Sequence, residues 1–410
     1  MAVQPSKASA IRQARTNPAT WLFLSAYAGA CLLFWWLPSI LIRVFNAGED
    51  PIENRFIWIT AGALLLFSVG YLLPGAQGKA VSTPKPVLDR VESFSYWATI
   101  ITSLPALLAG VHFLIYRSGV AYGEGHGISL FHQSILYTNL FFGLLYIGAA
   151  SDDQTNQATI FWMACLIIAP RLLVSLRWGR FFAAQAVVPI LFIAIARGWV
   201  LVSAKRIIQI CLLALFIVFV PSMTRGDLIF GEGDSGRPRV IDFIASGTTI
   251  GFFQDNLGLD YPCPPLLVSL TEKVVPYSAL GICTIDIGEE TGLPAATDLL
   301  LTKKYSDNRM LGTGGNYLLE LYLTGGTAAV IIGSVIFGAS CRWLVGSVGQ
   351  RSLYAGIWAE CVSRALFAPR GNLGYVFERV PSLVVTTWLV VAISWGIEVL
   401  RAPQRSEAKH

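Results

Sequence analysis

Apolar runs about as long as a bilayer is thick recur along this chain, and they leave few folds open. In hydrocarbon every backbone N–H and C=O must be paired inside the protein, so such a chain becomes a bundle of helices. The runs fall at roughly 21–42, 57–75, 94–116, 129–149, 158–176, 181–200, 206–222, 316–340, 353–368 and 380–400. Composition agrees: 54% of the residues are hydrophobic and 13% charged, and mean hydropathy is +0.59. These values exclude an ordinary soluble domain. The expected fold is an all-α integral membrane bundle of about ten transmembrane helices. It is read as one transmembrane domain over residues 1–410, with no internal repeat at a fixed period.

Basic residues set the orientation, because they collect on the cytoplasmic side. Lys7, Arg12 and Arg15 put the N-terminus in the cytoplasm, and no cleavable signal peptide is evident. Lys79, Lys85 and Arg90 put 76–93 inside, and Arg197, Lys205 and Arg206 do the same for their turn. The turn 150–157, the segment around Arg342 and Arg351, and the tail with Arg401, Arg405 and Lys409 are also inside. Both termini are then cytoplasmic. The acidic loop 43–56 falls outside, as does the long polar stretch 223–315, a large periplasmic loop before transmembrane helix eight. A loop of that length without a function is uncommon. Cys263 and Cys283 lie within it and are either a disulfide or two free thiols. Cys31, Cys165, Cys211, Cys341 and Cys361 sit in or beside spans and read as packing residues.

One loop opposes the trend. Arg171, Arg177 and Arg180, in PRLLVSLRWGR, fall on the outer side. Either a span is miscounted, or these arginines hold something anionic at the outer boundary. Arg171 follows Pro170 within an apolar run, where an unpaired charge costs about 2.5–3.5 kcal/mol, so it should face the bundle or a hydrated cavity. The other outward arginines are Arg117, Arg225, Arg237, Arg239, Arg309, Arg370 and Arg379, with Arg364 somewhat deeper. Guanidinium groups bind two oxygens of a phosphate or pyrophosphate in one plane. Arg177, Arg309 and Arg370 stand beside span ends and are the first candidates; Arg237 and Arg239 read as solvated loop charges.

The chain's organising stretch runs from Arg309 to Ser340, RMLGTGGNYLLELYLTGGTAAVIIGSVIFGAS. It reads as a glycine-rich approach entering a single span, with Asn316 and Glu320 near the first turns and Gly325-Gly326 partway down. Glu320 is the first choice for a general base, because an acid inside a span is costly to keep without a use. Its alternative is a structural ion pair. Asp227 and Glu378 are further candidates, and His126, in YGEGHG, could join the site or be a loop residue. His112, His126 and His132 match no zinc spacing, and HExxH, GxxxxGK[ST] and GxSxG are all absent. The first outer loop lacks an acidic DxD or ExD pair. The expectation is a metal-independent reaction with no cofactor and no nucleic-acid partner.

Three segments carry a resemblance to a known family. SLRWGRFFAAQAVVPILF (Ser175 to Phe192), GTGGNYLLELYLTGGTAAVIIGSVIFG (Gly312 to Gly338) and SRALFAPRGNLGYVFERV (Ser363 to Val380) look like motif segments of the Wzy-type O-antigen and polysaccharide repeat-unit polymerases. The chain resembles the O-antigen ligases more distantly. The layout also matches: many spans, cytoplasmic ends and one large periplasmic loop before the last spans.

The resemblance implies a glycosyltransferase of lipopolysaccharide or polysaccharide biosynthesis in the bacterial inner membrane. Donor and acceptor would both be oligosaccharides linked to undecaprenyl pyrophosphate. Arg177, the Arg309–Glu320 approach and Arg370 map onto the family's functional positions, making Glu320, Arg177, Arg370 and Arg309 the catalytic candidates. Arg171, Arg180, Arg225, Asp227, Asn316, Arg364, Glu378, Arg379 and His126 are the substrate-binding candidates. Membrane lipid is a further partner, and the resemblance raises a chain-length regulator and a flippase. The rival readings are a ligase moving glycan to a lipid A core, a transporter of lipid-linked glycan, and a scaffold.

Overall fold

The computed structural model describes residues 18–37, 39–40, 44, 53–74, 83–116, 130–151, 157–177, 181–200, 317–371, 373–377 and 379–407. Every element among them is helical. Helix α1 (Pro18–Cys31) runs on into a π-helical turn, Leu32–Trp36. It is followed by α2 (Asn54–Leu72), α3 (Lys85–Tyr116), α4 (Leu130–Ala149), α5 (Gln157–Arg177) and α6 (Phe181–Ala196). After residue 316 come α7 (Tyr317–Val348), α8 (Ala355–Ala365), a 3-10 turn (Ala368–Arg370), α9 (Leu373–Phe377) and α10 (Val380–Glu407). Among the described residues six helices are long and apolar enough to cross a membrane, and two more, Ser134–Ala149 and Phe182–Ala196, are apolar but shorter. The expected span 206–222, the loop 223–315 and its two cysteines lie outside the described residues.

The apolar surface is divided as a lipid solvent requires. Trp58, Trp97, Trp162, Trp388 and Trp395 point away from the bundle and are exposed. The interior is aromatic. Tyr27 of α1 stacks on Phe67 of α2 with ring centroids 3.9 Å apart, and Phe337 of α7 packs edgewise on Tyr27 and tilted on Phe67. Cys31, Cys341 and Cys361 are buried free thiols and Cys165 is a partly buried one, as their reading as packing residues anticipates.

Two expected spans take a different form. Residues 353–368 do not form one crossing. Helix α8 has 11 residues, about 16 Å of rise against a hydrocarbon core of about 30 Å. It is buried almost throughout, so its apolarity reflects protein contacts rather than lipid contacts. The stretch 316–340 is not a single rod either. Gly326 has φ 63° and ψ −153°, a conformation that essentially only glycine adopts. The chain reverses there. The Leu321 side chain packs on the Cα of Gly333, and the rings of Tyr317 and Phe337 lie 5.3 Å apart. In a continuous helix those pairs would be separated by about 18 Å and 30 Å. Residues 317–324 therefore form an arm folded back onto 327–348.

The up-and-down order sorts the turns between two ends. At one end Arg351 bonds Asp89 at 2.8 Å, Glu92 at 2.9 Å and the Ala149 carbonyl at 2.6 Å. Arg197 bonds the carbonyls of Ile147 and Ala150 at 3.2 and 3.1 Å. The two arginines thus satisfy the carbonyls that end α4. Arg342 bonds Thr20 at the start of α1. The turns read as cytoplasmic by their charge meet at this single end. The start of α6, the 3-10 turn and the start of α10 lie toward the other.

Candidate arginine and carboxylate site

The folded-back arm puts Glu320 inside the bundle, fully buried. Its Oε2 accepts the backbone N–H of Leu373 at 3.0 Å. That N–H opens α9 and has no partner within the helix, so a carboxylate is a suitable cap for it. Tyr317, one turn earlier on the arm, shares a hydroxyl–hydroxyl bond of 3.0 Å with Tyr27. The arm is thus tied to α1 through Tyr317 and to α9 through Glu320. A carboxylate near the first turn of a straight span would have stood at the water boundary; the break at Gly326 carries it into protein instead.

Arg364, on the last turn of α8, is also fully buried. It pairs with Glu360 one turn earlier, at 3.1 Å, and donates to the Tyr375 carbonyl at 2.9 Å. Its guanidinium lies over the Tyr375 ring, 4.5 Å from the centroid. One arginine therefore joins α8 to α9 by an ion pair, a hydrogen bond and a ring contact.

Arg171, on α5, is 1% exposed. It donates to Gln185 Oε1 of α6 at 3.1 Å and to the Leu136 carbonyl of α4 at 3.2 Å. It lies 5.0 Å from the centroid of Tyr137. All three of these partners are neutral, and among the described residues its Nε has no hydrogen-bond partner. Arg379 is over the same Tyr137 ring, at 3.3 Å. Gln185 extends the network by donating to the Tyr375 hydroxyl at 3.3 Å. Glu360, Arg364 and Arg379 are all near enough to act on the charge of Arg171. The polar chain Arg171–Gln185–Tyr375–Arg364–Glu360 thus crosses the bundle from α5 to α8.

Chemically this is a buried, cation-rich region into which the carboxylate of Glu360 is bonded, with Glu320 joined to the start of the neighbouring α9. In a low-dielectric interior such a group of arginines favours an anion strongly.

Residues 299–400 match the family model described as O-antigen polysaccharide polymerase Wzy. Over these residues the chain is similar to the Wzy family. The matched segment contains Glu320, Glu360, Arg364, Arg370, Tyr375 and Arg379, whereas Tyr137, Arg171 and Gln185 lie before it. The family supports an O-antigen polymerase role in general terms, a polymerising glycosyltransferase type of enzyme, and lipid-linked oligosaccharide substrates in the membrane. No curated protein and no solved structure matches the chain.

The residues singled out in the sequence divide into three groups. Arg171, Arg364 and Arg379 converge as described, and Glu320 is joined to α9 through the Leu373 N–H. Arg177 ends α5, about 9 Å of helix rise beyond Arg171, and Arg370 ends the 3-10 turn; the side chains of both lie outside the described residues. Asn316, Arg309, Arg180, Arg225, Asp227, Glu378 and His126 lie outside them altogether. Tyr137, Gln185, Glu360 and Tyr375 were missed. Two of them carried a signal. Glu360 and Arg364 have the i,i+4 spacing of a helical ion pair inside an apolar run, and Gln185 is a lone amide in another such run.

Proposed function

We propose that this chain polymerises oligosaccharide repeat units carried on undecaprenyl pyrophosphate, at the periplasmic face of the bacterial inner membrane. The observation that supports it most is the buried arginine group: among the described residues Arg171 has neutral hydrogen-bond partners and stands close to Arg364 and Arg379. A fixed cationic region of that kind suits a pyrophosphate leaving group. Transfer at the anomeric carbon builds positive charge on the sugar and negative charge on the departing pyrophosphate. Arginines already in place stabilise the latter as it develops. The bond to the acceptor hydroxyl forms as the anomeric C–O bond breaks, and a carboxylate takes the hydroxyl proton. One-step displacement of this kind inverts the anomeric centre. Glu320 is the proposed base. Arg370, Arg177 and Arg309 are the proposed leaving-group residues, and both termini are proposed to be cytoplasmic.

A transporter reading draws on one observation, the helix break at Gly326, since broken helices line the binding sites of many transporters. One experiment separates the two. The full chain is reconstituted with lipid-linked repeat units extracted from cells that lack it, and products are resolved by length. A polymerase gives a ladder; a transporter moves the lipid-linked unit across the bilayer without lengthening it. Glu320→Gln tests the base specifically, because a glutamine keeps an oxygen for the Leu373 N–H and cannot accept a proton. A folded but inactive Glu320→Gln supports a base. An active Glu320→Gln beside an inactive Glu320→Ala makes Glu320 a cap for α9 and removes it from the chemistry.

A further inference from the structure

The segment carrying Arg370 is held on both sides of that residue, and one hold comes from the far end of the chain. Trp35, in the π-helical turn that ends α1, is completely buried. Its indole N–H donates to the carbonyl of Pro369 at 2.8 Å, across 334 positions of sequence. The second hold is the Leu373 N–H on Glu320. Arg370 therefore sits on a short stretch of backbone fixed at the residue before it and three residues after it. Between these holds, the Gly371 N–H closes the 3-10 turn on the Ala368 carbonyl at 3.0 Å. Trp36, the next residue of the same π turn, donates instead to Thr60 of α2 at 3.2 Å. The two indoles thus serve different neighbours, and only Trp35 reaches the segment. A π turn in an α-helix is uncommon and frequently marks a functional site.

We infer that Trp35 is a positioning residue for Arg370, acting through the Pro369 carbonyl. The inference rests on the proposed role of Arg370 at the leaving group. A guanidinium that must meet charge where it develops loses effect when its backbone shifts by a fraction of an ångström. Trp35→Phe keeps most of the ring volume and deletes the indole N–H donated to the Pro369 carbonyl. Turnover should fall by about tenfold, with the KM for the lipid-linked repeat unit little changed.

The test measures kcat and KM on extracted lipid-linked repeat units with the full reconstituted chain. The variants are Trp35→Phe, Trp36→Phe, Arg370→Lys, Arg370→Ala and Trp35→Phe with Arg370→Lys. Trp36→Phe makes the same chemical change one residue away and should retain wild-type turnover. If Trp35 acts through Arg370, the double variant is no slower than Arg370→Lys alone. Multiplying losses in the double variant, equal losses in the two tryptophan variants, or wild-type turnover in Trp35→Phe would each overturn the inference. Arg370→Ala reads the underlying function by itself. If it retains full turnover, the role of Arg370 fails and the inference fails with it; if it is inactive while Trp35→Phe is normal, the inference alone fails.

Discussion

Gly326→Ala isolates the backbone conformation on which the site depends. A Cβ placed on Gly326 meets nothing within 4 Å, so the substitution introduces no clash. Its whole effect comes from φ 63° and ψ −153°, where a residue with a Cβ costs about 1–3 kcal/mol. Gly62, inside α2, also has open space around its Cβ position, but its backbone is helical. There alanine should gain about 0.5–1 kcal/mol. The two variants should therefore separate by about 1.5–4 kcal/mol, in opposite directions from wild type. Thermal unfolding of both in one detergent gives the sign. A cysteine pair reports the geometry directly. Leu321→Cys with Gly333→Cys should close a disulfide in the native fold-back, and close it more slowly once Gly326→Ala is added. A mass-tagged thiol count reads this without any substrate. If Gly326→Ala is as stable as Gly62→Ala and the cysteine pair never closes, residues 317–348 are one straight helix. The placement of Glu320 beside Leu373 is then wrong.

Two further expectations concern packing and buried charge. Glu360→Gln should cost about 3–5 kcal/mol, because it leaves Arg364 buried without its ion partner. Adding Arg364→Met should recover much of that in a melt while leaving the chain inactive, and no recovery would mean that the pair is not an isolated unit. Gly338→Ala would drive a Cβ into the Phe67 carbonyl where α7 crosses α2, at a cost of about 1–3 kcal/mol. Gly396→Ala on α10, with open space, is its silent control; equal yields of monodisperse protein from both would argue against the close crossing.

Much of the fold was legible in the sequence because lipid permits so few backbone arrangements. Runs of bilayer length had to be helices, and the arginines and lysines of the short turns sorted those turns into sets. The turns with Arg197 and Arg351 do meet at one end. Arg171 showed itself as an anomaly, because a cation in an apolar run has to find polar company, and it turns into the bundle as expected. Apolarity alone could not distinguish lipid contact from protein contact. The run 353–368 reads as a span, yet α8 within it is an 11-residue buried segment that carries Glu360 and Arg364. Composition could not locate the reversal at Gly326 either, because glycine pairs also occur in unbroken spans and the left-handed φ is visible only in the backbone.

The sequence by itself determined a polytopic helical membrane chain, its sorting of turns and a family resemblance that the Wzy match bears out over residues 299–400. Each of these follows from local properties: hydrophobic length, charge count and short motifs. Only the tertiary structure decided that Glu320 meets Leu373 53 positions away, that Gln185 bridges Arg171 and Tyr375, and that Trp35 reaches Pro369. Those pairings depend on which helices become neighbours. That is set by the summed packing of many side chains and by close approaches at single glycines, which no local stretch of sequence encodes.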